Sequence, residues 1–116
     1  MNYNLEYRTK NFSKSMIICL SGVLLDYRNK NIISQILRSA TSVGANYCEA
    51  NNAISKKDFK NKIFICRKEI QETKYWLELL ALTNTEKTND LRKLWKEAHE
   101  LSLIFNKITF SLKSKK

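Results

Sequence analysis

The residues with the most chemical potential lie on two stretches in the middle of the chain. Arg38, Ser42 and Asn46 recur every four positions and Glu49 follows three beyond, so all four share one helix face. Glu69 and Glu72 stand three apart on the next stretch. Carboxylates on facing helices could serve acid–base chemistry or hold a metal. Di-iron bundles do so with Glu-x-x-His pairs, but here the lone His99 has Lys96, not a glutamate, three positions before it. Cys19, Cys48 and Cys66 are far apart, without a C-x-x-C pair, and each is expected as a small core residue. With no metal set and no base–nucleophile pair, the sequence argues against an enzyme and predicts no cofactor. An arginine at a helix–helix contact instead requires a carboxylate, and its planar fork suits two-point pairing. Arg38 with Glu72, or Glu49 with a basic residue of a neighbouring helix, are the expected pairs, and their role would be to fix register and assembly.

The second chemical feature is positive charge. The chain carries 21 Lys and Arg against 11 Asp and Glu, a formal net charge of +10. Such an excess attracts polyanions: RNA, DNA, an anionic membrane surface or an acidic protein. A merely solvated, lysine-rich surface is the alternative. On a helical wheel Lys56, Lys60, Arg67 and Lys74 fall within about 40° of one another. Arg92, Lys96 and Lys107 share an outward face of the last helix. Two such tracks would contact phosphates without reading bases. No RNA-recognition-motif aromatics, KH Gly-x-x-Gly loop or zinc-finger spacing is present. The basic faces lack exposed aromatic anchors beside them, which weighs against a membrane surface.

The elements that must position these residues are helices. The chain of 116 residues has no proline and only two glycines, Gly22 and Gly44, too few turn formers for a sheet protein. Its length suits one domain, residues 1–116, with a continuous core. Apolar residues at helical spacing predict helices over about 7–27, 32–51, 56–83 and 90–113, with a frayed tail from Lys113 to Lys116. Phe59, Ile63, Cys66, Ile70, Thr73, Leu77 and Leu80 follow a 4-3 alternation, the seam of an antiparallel bundle helix. Ser55 reads as its N-cap, with Asp58 in the capping-box position. The middle of the second helix is slim, from Ser39 to Ala45, so a neighbour can approach closely there. The fold class is therefore all-α: an antiparallel up-down-up-down four-helix bundle.

Ile65, Trp76 and Leu79 fall roughly opposite the seam of the third helix, and Leu103, Ile104 and Phe110 repeat the pattern on the fourth. A bundle helix needs one apolar face, so these second faces are expected to mediate self-association. A third helix that is deeply buried in an uneven bundle is the alternative. The longest apolar run, residues 16–25, is shorter than the roughly 20 residues that span a bilayer. With no secretory pattern at the N-terminus and an odd cysteine count, the expected location is the cytoplasm.

The segment Leu37-Arg38-Ser39-Ala40-Thr41-Ser42-Val43-Gly44-Ala45-Asn46, followed by Glu49-Ala50, resembles the "four helix bundle protein" family. Those proteins were first noticed as reading frames within intervening sequences of bacterial 23S ribosomal RNA genes. Ser55, Asp58, Phe59, Glu72, Thr73, Tyr75, Trp76 and Leu77 extend the match, while Tyr47, Cys48 and Ala50 depart from the usual Ile, Ala and Gly. The resemblance implies a bacterial protomer that assembles into a ring, a homopentamer. It also implies kinship with the accessory variability determinant of diversity-generating retroelements, a basic pentamer that binds a reverse transcriptase and nucleic acid. Arg38, Ser42, Asn46, Glu49 and Glu72 carry over as motif positions with a structural role. The functional expectation is a non-enzymatic, basic homo-oligomer that binds RNA or DNA backbones. The alternative is an adaptor for an acidic or polymerase-type protein, with no nucleic-acid binding of its own.

Overall fold

The computed structural model describes residues 4–114. Four helices follow one another: α1 (Leu5–Ser21), α2 (Lys30–Asn51), α3 (Lys56–Leu82) and α4 (Thr88–Ser114), with a single 3₁₀ turn, Thr85–Lys87, before α4. They form an elongated bundle of 47 × 21 × 20 Å. α2 and α3 pack most extensively, then α3 and α4, while α1 and α4 meet only sparsely.

The seam read for α3 is the observed one. Ile63, Cys66, Ile70, Thr73, Leu77 and Leu80 are buried and Phe59 packs at the edge of the core. Ser55 caps α3, its Oγ accepting the Asp58 N–H at 3.0 Å. On α4, Leu91, Leu94, Ala98, Leu101 and Phe105 are buried, with Ile108 and Leu112 half-buried below them.

The slim middle of α2 is used on both sides. Thr73 Oγ1 of α3 donates to Ser39 Oγ at 2.8 Å. Ser13 Oγ of α1 donates to the Ala40 carbonyl at 3.3 Å. A Cβ built on Gly44 would lie 3.3 Å from the Thr9 carbonyl oxygen, so the α1 backbone runs directly against this glycine. The close approach offsets the roughly 1 kcal/mol that glycine costs a helix interior relative to alanine.

The first helix differs from the expectation. It begins at Leu5 and ends at Ser21, six residues before the predicted end at Tyr27. Gly22 stops it, its N–H bonded to the Cys19 carbonyl at 3.2 Å. Val23 then folds into the core, whereas Leu24, Leu25 and Tyr27 are 74%, 66% and 94% exposed. Their hydrophobicity had extended the helical pattern, but they lie in a loop. Asp26 organises that loop: its Oδ1 accepts the backbone N–H groups of Arg28 and Asn29 at 2.9 and 3.0 Å. The turn so formed starts α2 at Lys30, two residues early. α4 likewise starts at Thr88 and stays helical through Ser114, so the fraying expected from Lys113 does not occur there; Lys115 and Lys116 lie outside the described residues.

One end of the bundle is closed by buried amides. Asn29 Nδ2 donates to the Leu24 carbonyl at 3.0 Å. Asn29 Oδ1 accepts Thr83 Oγ1–H at 2.8 Å and Asn84 Nδ2–H at 3.2 Å. The α1–α2 loop is thereby tied to the end of α3. Among the described residues no buried side-chain nitrogen or oxygen lacks a partner.

Of the cysteines, only Cys66 is a core residue; Cys19 is half-buried and Cys48 exposed, off the apolar line of α2. Burial pushes the Cys66 thiol up to about 12, and burial also raises Cys19.

Two outcomes follow from this packing. Gly44→Leu is expected to lower the unfolding free energy by about 1–3 kcal/mol in urea titrations, because α1 must move away. Gly44→Ala should change it by less than about 1 kcal/mol, since helix propensity gains what the contact loses. In a thiol-reagent titration near pH 8, Cys48 should react at once, Cys19 slowly and Cys66 only after denaturation.

Candidate functional site

The polar stripe of α2 meets α3 in one connected network. Arg38 Nη1 donates to both carboxylate oxygens of Glu69, each at 3.2 Å. Its Nη2 bonds Glu72 Oε2, which also accepts the Trp76 indole N–H at 3.3 Å. Ser42 Oγ donates to Glu69 Oε2 at 3.4 Å and accepts from Asn46 Nδ2 at 2.9 Å. Glu69 is 8% exposed and is the one buried carboxylate among the described residues. Glu72, above all, and then Glu69 hold the Arg38 guanidinium above its ordinary pKa, against the opposing effect of burial. The pairing of Arg38 with Glu72 is as expected; the sequence did not reveal that Glu69 would take the buried half of the guanidinium.

The expected cation for Glu49 is Lys62 of α3, at 2.7 Å. A third clasp was not foreseen. Arg8 of α1 grips Glu97 of α4 through two bonds, Nη2 to Oε1 at 2.7 Å and Nε to Oε2 at 3.1 Å, with Glu100 at 3.2 Å. It closes the sparsest interface of the bundle near the start of α1. An Arg8 with acidic residues on a helix ninety positions away carries no local signal in the sequence.

These pairs hold helices together. The described residues contain no group of three or more His, Cys, Asp or Glu able to hold a metal. Among the described residues no helix is long and apolar enough to cross a membrane.

The basic residues divide into two sets. Lys56, Lys60, Arg92, Lys96 and Lys107 are exposed, and none forms an ion pair among the described residues. Arg67 and Lys74 are half-buried at the α3–α4 seam. Arg67 Nε donates to Asn106 Oδ1 at 2.8 Å. Lys74 Nζ sits 2.9 Å from His99 Nδ1 and 5.0 Å from the centre of the Trp95 ring. The α3 track is thus continuous on a helical wheel but interrupted in three dimensions. The outward face of α4 is the more open of the two.

The second apolar faces also change in the fold. Ile65, Trp76 and Leu79 are half-buried, with Trp76 packed against the core and edge-on to Tyr75 at 5.1 Å. Ile104, expected to be outward, is buried at 8%, while Leu103 and Phe110 are exposed. At 100° per residue Ile104 stands a quarter turn or more from Leu103 and close to Ile108, on the flank of the seam, which takes it into the core. Phe110 shares the face of Arg92, Lys96 and Lys107 at 100° per residue, so the basic face of α4, expected to lack an exposed aromatic, carries one.

Taken together, the architecture defines a class: a basic four-helix bundle whose α2–α3 seam is fastened by an arginine–dicarboxylate clasp. Residues 6–107 match the 23S rRNA-intervening sequence protein family, and the chain belongs to that family. A solved structure of a protein of unknown function from the S23 ribosomal protein family of Bacteroides thetaiotaomicron VPI-5482 is similar. It shares 32% identity at a TM-score of 0.80, over 90% of this chain and 96% of that one. No curated protein matches the chain.

The clasp has a measurable consequence. Arg38→Ala leaves Glu69 buried without its cation and is expected to cost about 1–3 kcal/mol, less than a fully buried pair because half of the arginine side chain faces water. Arg38→Met combined with Glu69→Leu should recover much of that loss in the same urea titration.

Proposed function

We propose that this protein is a non-enzymatic, nucleic-acid-binding bundle that neutralises RNA or DNA phosphates with its basic faces. The observation that carries the reading is the set of exposed cations without ion-pair partners among the described residues, Arg92, Lys96 and Lys107 on α4 with Lys56 and Lys60 on α3, in a chain of net charge +10. Their contacts would be to the backbone and would release counterions, so affinity would fall steeply with salt. The family name links such proteins to 23S rRNA intervening sequences.

The protomer is further proposed to self-assemble into a closed ring, the homopentamer implied by the family resemblance. The outer face of α3, with half-buried Ile65, Trp76 and Leu79 beside exposed Tyr75, supports this. Three unpaired thiols suit the reducing cytoplasm of a bacterium. A second reading, an adaptor for an acidic protein or a polymerase such as a reverse transcriptase, is favoured by the exposed Leu24, Leu25 and Tyr27. In that reading charge would steer association and apolar contacts would hold it.

Binding of nuclease-treated protein to RNA and DNA across a salt series tests the first reading. Tight binding near physiological salt that weakens steeply as salt rises is expected, and Lys96→Glu with Lys107→Glu should reduce it about tenfold while flattening the salt slope. No affinity at physiological salt would turn the search to protein partners. Light scattering after gel filtration tests the ring: Leu79→Lys should shift the protein toward monomer, and an unchanged mass would exclude this face.

A further inference from the structure

Between the C-terminal half of α3 and the start of α4 lies a cleft of about 450 Å³. Buried Leu77 and Leu91 form its floor, and half-buried Ala81 and the Trp95 indole form its walls. Its rims are charged with opposite sign. Exposed Arg92 and Lys96 stand on the α4 side, and exposed Glu78 stands on the α3 side. The size and the apolar lining with few polar groups are those of a small-ligand site.

The indole is held in place. Trp95 Nε1 donates to Glu78 Oε2 at 3.0 Å. The His99 ring stacks on the indole, with centroids 5.1 Å apart and planes within 7°. Lys74 tethers His99 across the seam at 2.9 Å. A fixed aromatic wall loses little freedom when a flat ring packs against it.

We propose that this cleft receives an unpaired nucleobase of a bound nucleic-acid strand. The inference rests on the nucleic-acid reading above and sharpens it. The apolar walls and the indole suit a flat ring, which stacking would hold. The two cations on the α4 rim suit the phosphates flanking that base. The Glu78 carboxylate repels phosphate, so it fixes the orientation: backbone along α4, base edge toward α3. Its Oε1 faces solvent with no hydrogen bond among the described residues and can accept an N–H from an exocyclic amine, the pairing that acidic side chains make with cytosine. Backbone neutralisation alone would favour the duplex, whose charge density is higher; this cleft would favour strands with a base to spare.

The test compares two labelled dodecamers on the wild-type protein by fluorescence anisotropy. One is RNA of alternating adenosine and cytidine; the other has the same phosphate spacing but sugars without bases. A Trp76→Phe protein is titrated in parallel, so that indole emission reports Trp95. The RNA should bind about tenfold or more tighter than the abasic chain and quench Trp95. Ala81→Phe, which fills the cleft, should erase that ratio without weakening the abasic chain; Ala81→Leu replaces it if circular dichroism shows misfolding. Equal affinity for the two dodecamers would overturn the cleft and leave backbone binding standing. A preference that survives the filled cleft, or that leaves Trp95 emission unchanged, would also overturn it. Binding of neither dodecamer would overturn both readings.

Discussion

The backbone of α2 is the surface against which the bundle is built. Gly44 lets the Thr9 carbonyl of α1 come within 3.3 Å of where a side chain would begin. On the other flank the Ser39 hydroxyl meets Thr73 of α3 at 2.8 Å inside the core. Small residues permit that approach, but they bury little apolar area of their own. Cohesion therefore comes from Ile33, Ile36 and Val43 of α2 together with Phe12, Met16, Ile63, Ile70 and Leu77 of its partner helices. Bulk on α2 would push α3 outward and carry with it the α3–α4 cleft, so the shape of the surface is set by residues that never reach it.

Close packing of this kind fixes distance more firmly than register. Apolar seams can slide by a helical turn at modest cost, because one aliphatic layer resembles the next. The ion pairs cannot. Arg38 must meet both Glu69 and Glu72, and a shift of one turn would leave Glu69 buried without a cation. Arg8 with Glu97 and Lys62 with Glu49 play the same part at more exposed positions, where each contributes little stability. The Asn29–Thr83–Asn84 group adds a stop at one end of the bundle. Polar residues specify which apolar layers face each other.

The sequence made the regular parts legible and left the departures hidden. The 4-3 alternation of α3 and the Ser55 cap are local patterns and were readable. So was the need of Arg38 for a carboxylate, though not the division of its fork between two glutamates on adjacent turns. The end of α1 was misread because Leu24 and Leu25 keep the helical apolar pattern while facing water beyond Gly22. The Arg8–Glu97 and Asn29–Asn84 contacts join residues far apart in the chain, and no local period encodes them. A helical wheel also cannot tell a lysine that faces solvent from one that leans across a seam. Lys56 and Lys74 share a wheel position, yet Lys74 is drawn to His99 and Trp95 because α4 supplies an aromatic pair there.

That difference bears on how one small protein could both self-assemble and bind a polyanion. On α3, Ile65, Trp76 and Leu79 point roughly opposite to Arg67 and Lys74 at 100° per residue. Assembly through the former would leave the α4 side uncovered. The open cations Arg92, Lys96 and Lys107 lie on that side, interleaved with exposed Leu103 and Phe110. A face mixing cations with isolated apolar residues suits a hydrated, charged partner better than a dry subunit contact, where unpaired lysines would have to shed water without compensation. Closing a ring through α3 would set copies of the α4 face side by side, and their fields would add wherever the spacing falls within the roughly 10 Å screening length at moderate salt.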